Sequence, residues 1–269
     1  MDEARRRRLH GGPPPVGRRT IGVIGGMGPL ATADFYLRLV RATPAAVDQE
    51  HLHVIIDSNP EIPDRTAAIE GRGPDPTPVL VATAQRLVRA GAEVLVMPCN
   101  SAHAFLDAIR GAVPVPVLDI MEEVAFAAAA LRPAPKAAGL LATAGTVRQR
   151  LYHVALGRRG IAVLAPEPNE QRGVSEAIDA VKRGDVGPGV RARARAMAEA
   201  LVRAGADAIV LGCTEFPLVL TSEDVAVPVL DSTEILARAA LREGFGEYHP
   251  SQERWQGSIG APPGPLRRH

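Results

Sequence analysis

The chain has 269 residues, of which 46% are hydrophobic, 23% charged and 3% aromatic, and its formal net charge is +1. That length allows one large or two small domains with real cores. A near-neutral, aromatic-poor chain lacks the basic stripe and stacking platforms of a nucleic-acid binder. No apolar run approaches the ~18 residues of a membrane span.

Residues 1–19 carry six Arg against Asp2 and Glu3, with three consecutive prolines, and read as a disordered tail. Strands are predicted over 20–25, 52–57, 93–97, 116–118, 137–142, 161–164, 207–211 and 227–230. Helical patterns alternate with them over 30–43, 77–90, 101–111, 120–131, 147–157, 174–183, 189–204 and 232–243. Residues 247–269, with Pro262, Pro263 and Pro265, read as a second flexible tail. Alternating strand and helix argues for parallel sheets covered by helices. Arg18, Arg19 and the apolar run from Ile21 imitate a secretory leader. Gly25, Gly26, Gly28 and Pro29 would interrupt its apolar helix, so the protein is read as cytoplasmic.

The two halves repeat one another. LVRAGA stands at 87–92 and at 201–206, and the two cysteines of the chain, Cys99 and Cys213, share the same offset of 114 residues. VPVLD recurs at 115–119 and 227–231, and Gly22 and Gly28 match Gly139 and Gly145. The predicted architecture is therefore α/β, with two pseudo-symmetric lobes, each a mostly parallel sheet flanked by helices, and the active site in the cleft between them. The first lobe is assigned to 20–118 plus 231–246 and the second to 119–230.

Each cysteine follows an apolar strand, VLVMP or AIVLG, at the carboxyl end where parallel sheets bind ligands. Asn100-Ser101 and Thr214-Glu215 follow at once, and such residues open helices whose free N–H groups attract anions. Lowering a thiol from about 8.5 to about 7 takes about 2 kcal/mol, which a helix start and one or two N–H bonds can supply. Lone cysteines are often core residues, but two in matched polar contexts point to paired acid–base thiols. No CxxC or spaced His set suggests zinc, and a disulfide would leave the polar contexts without a use. His103 suits the site or the packing equally. Arg65, in SNPEIPDRT, is placed on a loop and suits a carboxylate. Lys182 alone would read as solvated. The GGMG run lacks the G-x-G-x-x-G spacing of a dinucleotide site.

The set IGVIGGMGPLAT, SNPEIPDRT, MPCNSAH, LLATAGT and LGCTEFPL, in this order, resembles the aspartate/glutamate racemase family, most closely its aspartate branch. The resemblance covers about residues 20–243. It implies a homodimeric amino-acid racemase that needs no cofactor and no metal and acts on a small, acidic amino acid. Cys99 and Cys213 would be the catalytic pair. Asn100, Ser101 and Thr214 would hold the α-carboxylate, Thr143 and Thr146 would line the substrate site with Met27, and Arg65 and Lys182 would take the side-chain carboxylate. Ser101 stands where Thr is usual, and Glu215-Phe216 replaces the His-Tyr of glutamate racemases. A decarboxylase or cis–trans isomerase of dicarboxylates, a two-lobed ligand-binding protein and a thiol redox switch remain alternative readings of the same residues.

Overall fold

A computed structural model describes residues 17–246, so residues 1–16 of the first predicted tail and the whole of the second lie outside the described residues. The chain is already tied down at Arg18, whose Nη1 donates to the carbonyls of Gln49 (3.1 Å) and His51 (3.3 Å). The Arg19 N–H donates to the Gly244 carbonyl at 2.8 Å.

Among the described residues, two all-parallel sheets repeat one plan. β1 (Ile21–Gly25), β2 (Val54–Ser58) and β3 (Val94–Val96) form the first, in the order β2-β1-β3. β4 (Ala137–Ala142), β5 (Ala162–Leu164), β6 (Ala208–Gly212) and β7 (Val229–Asp231) form the second, in the order β5-β4-β6-β7. The counterpart of β7 in the first sheet, predicted as a strand over 116–118, reaches only one bridge, between Leu95 and Val117. Pro116 has no N–H to extend that ladder.

Helices supply the crossovers that parallel pairing requires. They are α1 (Pro29–Ala42), α2 (Arg65–Ile69), α3 (Thr77–Arg89), α4 (Leu106–Ala112), α5 (Ile120–Ala130), α6 (Ala144–Arg148), α7 (Leu151–Gly157), α8 (Pro168–Lys182), α9 (Pro188–Arg203) and α10 (Ser232–Gly244). Three boundaries differ from expectation. The segment 147–157 breaks at Arg150, which adopts a left-handed φ of 53° between α6 and α7. α8 starts six residues before 174, at a capping box in which Glu167 and Glu170 each accept from the other's end of the first turn. The segment 101–111 opens as a 3₁₀ turn (Ser101–Phe105) before α4.

Side chains alternate across each strand. Ile21, Val23, Val94, Val96, Leu140 and Val210 point into a central core shared by both sheets with α1, α5, α7 and α10. Leu95, Met97 and Cys99 point into the first sheet's outer core, and Leu141, Ile209, Leu211 and Cys213 into the second's. The repeated hexamer has a packing reason. A Cβ on Gly22 would stand 2.6–3.3 Å from Leu95, Ala92 and Leu87, and one on Gly139 would stand 2.8–3.2 Å from their counterparts Ile209, Leu201 and Ala206. Gly91 and Gly205 end the two helices at φ of +104° and +103°, a conformation that favours glycine. The Asp of each VPVLD caps the following helix: Asp119 accepts from Met121 and Glu122 N–H, and Asp231 from Thr233 and Glu234 N–H.

Candidate active site

The two sheets approach one another through the loops and short helices that follow their strands. Gly28, after β1, faces Glu215 after β6, where a Cβ would stand 3.6 Å from Oε1. Its counterpart Gly145, after β4, faces Thr66 beside Arg65, where a Cβ would stand 3.0 Å from Oγ1. α2, α6 and the 101–105 turn pack on one another around this junction.

Cys99 follows β3 and Cys213 directly follows β6; both are buried and free of disulfide. The Cys99 sulfur lies 3.7 Å from Ser101 Oγ. The Cys213 thiol donates to Glu215 Oε2 at 2.9 Å, and Thr214 Oγ1 donates to the same oxygen at 3.4 Å. Burial pushes the Cys213 thiol well above its ordinary range, and Glu215 adds to this by its charge and by accepting the thiol hydrogen. The Glu215 N–H and Lys182 pull the other way. The lowered thiol expected from a helix start is thus reversed at Cys213. Burial first, and then a carboxylate two residues on, outweigh the Glu215 N–H, and the helices after both cysteines are 3₁₀ turns, not α-helical N-termini.

Arg65 is the first residue of α2, one turn of helix capped by Asp64, where a loop was expected. Its guanidinium is buried, Nη1 donates to the Ile62 and Pro63 carbonyls at 3.0 Å, and Nε is buried with no partner among the described residues. An unmet buried donor costs about 1–3 kcal/mol, a cost that an acceptor reaching Nε would remove. Lys182 ends α8 with an exposed side chain. Partial burial lowers its pKa, but attraction to Cys213, Glu215 and Cys99 more than offsets that and the repulsion of Arg65, so the ammonium is held above its ordinary value. Arg65, Lys182, both thiols and Glu215 therefore share one electrostatic neighbourhood.

Thr143 caps α6, its Oγ1 accepting from the Thr146 N–H at 3.3 Å and lying 3.0 Å from Thr146 Oγ1. Two predicted residues face elsewhere. Asn100 spends its side chain on Ser232 Oγ (3.1 Å) and on the Tyr152 hydroxyl (2.5 Å), leaving its backbone for any ligand. Met27 packs in the first sheet's outer core with Cys99. His103 proves to be a brace. Ile120 N–H can only donate, so Nε2 accepts it (3.2 Å), and Nδ1 carries the hydrogen and donates to the Cys99 carbonyl (2.9 Å). Burial lowers its pKa in keeping with this neutral state, with Asp119 opposing. The glycine run is a packing device: Gly26 has φ +91°, and a Cβ there would stand 2.3–2.5 Å from the Asn59 backbone.

Two repeated parallel α/β lobes, each carrying one buried thiol just after the carboxyl end of its third strand, give the two-lobed architecture of an amino-acid racemase. The chain belongs to the Asp/Glu/hydantoin racemase family, whose model matches residues 24–240, and is an amino-acid racemase. It is 26% identical to the broad specificity amino-acid racemase RacX of Bacillus subtilis, over 82% of this chain and 96% of that one. Among solved structures it resembles aspartate racemase of Picrophilus torridus (29% identity, TM-score 0.75, 84% of this chain and 94% of that one). It also resembles a putative Asp/Glu racemase from Yersinia pestis (28%, TM-score 0.71, 85% and 100%). No helix among the described residues is long and apolar enough to cross a membrane.

Proposed function

We propose that the protein racemises an acidic amino acid, aspartate foremost, without pyridoxal phosphate, using Cys99 and Cys213 as an acid–base pair. One sulfur takes the α-proton and the other returns a proton to the opposite face, the roles exchanging for the other enantiomer. The observation that carries the acidic substrate is the buried Arg65 with its unpartnered Nε, beside a Lys182 ammonium that feels both thiols. These cations receive the side-chain carboxylate. Hydroxyls of Ser101, Thr143, Thr146 and Thr214, together with backbone N–H groups after the cysteines, bear the charge that develops on the α-carboxylate as the carbon loses its proton. A cytoplasmic homodimer belongs to the same reading, and sedimentation equilibrium reports its stoichiometry.

Solvent deuterium incorporation into each enantiomer of aspartate tests the chemistry. Cys99→Ala and Cys213→Ala should each abolish net inversion, and exchange from a single enantiomer should survive in at least one of them. Undiminished racemisation by either variant overturns the paired-thiol reading. Arg65→Ala should raise KM for aspartate tenfold or more, the scale of a lost charge-assisted hydrogen bond, and barely change it for alanine. An equal loss for both substrates would make Arg65 structural.

A further inference from the structure

The two repeats differ in the side chains that follow each cysteine, and in both it is the second of these that touches the sulfur. Two residues after Cys99 stands Ser101, and two residues after Cys213 stands Glu215. Ser101 offers its neighbouring sulfur a hydroxyl at 3.7 Å, a group able to donate to a thiolate. Glu215 offers a carboxylate oxygen at 2.9 Å, a group that only accepts when ionised. The carboxylate is itself buried, at 4% exposure, and Thr214 Oγ1 donates to the same oxygen. With both neighbours donating, the hydrogen between sulfur and oxygen belongs to sulfur.

Resting on the racemase reading above, we propose that Glu215 fixes the proton arrangement of the resting pair: it holds the hydrogen on Cys213 and leaves Cys99 to take the substrate's α-proton first. In that step the Cα–H bond breaks as an S–H bond forms on Cys99. The Cys213 S–H bond then breaks as its proton bonds the opposite face of the carbon, and Cys213 is left a thiolate beside a carboxylate. Two adjacent anions in a buried site repel. A proton from water returns to Cys213 and Cys99 gives one up, which restores the starting form. The other elements facing Cys213 present Lys182, which offsets part of the repulsion, and Tyr152, whose hydroxyl burial keeps protonated and on which Asp119 and Asp231 also act. Glu215 is thus a positioning residue for a proton, acting through Cys213.

The test reads thiolate directly. With Cys99→Ser in place Cys213 is the single thiol of the chain, and its alkylation by iodoacetamide against pH follows its ionisation. E215Q keeps the shape and removes the charge. Its alkylation midpoint should fall by at least about one pH unit, roughly tenfold more thiolate at a fixed pH below the midpoint. Glu215→Asp, with the charge drawn back by one methylene, should lie between the two. In the two-cysteine enzyme, E215Q should move the kcat/KM profile toward acid while KM for aspartate stays within about twofold. Midpoints unmoved in both variants, or a lower melting temperature as the sole change, overturn the proposal. Alkylation needs no turnover, so its outcome is independent of the deuterium experiment on which the racemase reading stands.

Discussion

His103 shows how one side chain outside the proposed acid–base pair holds the backbone beside it. The neutral ring ties the Cys99 carbonyl to the first N–H of α5, so the base of the cysteine turn is fixed to the helix that VPVLD starts. Burial holds its folded pKa below the ordinary value. The unfolded chain takes up a proton at this ring near pH 6.5, and the folded chain does so only further down. Stability from this group is therefore complete above about pH 6.5 and is lost as pH falls through the window to the folded value, at most about 1.4 kcal/mol per unit. His153 is depressed in the same direction, by burial and then by Arg150, and adds the same sign. His103→Asn should cost about 1 kcal/mol near pH 7.5, because Ile120 N–H loses its acceptor, yet flatten the acid limb of stability. Urea melts at pH 7.5, 6.5 and 5.5 check this, and a variant whose curve runs parallel to wild type would refute it. Periodicity left the role of His103 open because a helical offset of four from Cys99 suits a ligand-facing and a packed ring equally. Glu215 was hidden for a different reason: adjacency in sequence does not say whether a carboxylate turns toward a sulfur or away.

At the scale of elements, β1, β3, β4 and β6 were legible because both their faces are buried and each reads as an apolar run. What failed was punctuation. PNEQRG, the first turns of α8, has no apolar stripe, and its signal is the Glu167–Glu170 capping box. α2 is one turn long, too short for a period to show. The break at Arg150 has no glycine to announce the left-handed residue. The duplication itself was legible, and packing explains it: Leu87, Ala92 and Leu95 close on Gly22 as Leu201, Ala206 and Ile209 close on Gly139. Gly22→Ala and Gly139→Ala should therefore each destabilise by about 1–3 kcal/mol, the usual cost of forcing a methyl into a filled core. Gly111→Ala, in α4 with nothing within 4 Å of the new methyl, should be neutral or stabilising by up to about 1 kcal/mol. Thermal melts of the three variants decide, and a tolerated Gly139→Ala would remove the packing account of the repeat.

For the whole molecule, the expected picture of two lobes around a cleft leaves out how the halves are fastened. The central core is common to both sheets, so the lobes are joined by an apolar layer as well as by the crossing chain. Within that layer runs a buried polar link. The Tyr152 hydroxyl of α7 donates to Asn100 Oδ1, next to Cys99. Asn100 Nδ2 donates to Ser232 Oγ, at the start of α10, and Ser232 Oγ donates at 2.7 Å to the Leu211 carbonyl, two residues before Cys213. One chain of hydrogen bonds thus connects the backbones beside the two thiols. Tyr152 is fully buried among apolar side chains, so Tyr152→Phe removes one donor and keeps the volume. Asn100 Oδ1 is then a buried acceptor without a partner, which costs about 1–3 kcal/mol. If the link also fixes the spacing of the thiols, kcat for aspartate should fall further than KM rises, since misplacing the acid relative to the base harms the transition state more than the bound substrate. Urea unfolding and steady-state kinetics in both directions measure the two effects. A variant that loses stability but keeps wild-type kcat would leave the link a fastener of the halves and deny it any part in aligning the sulfurs.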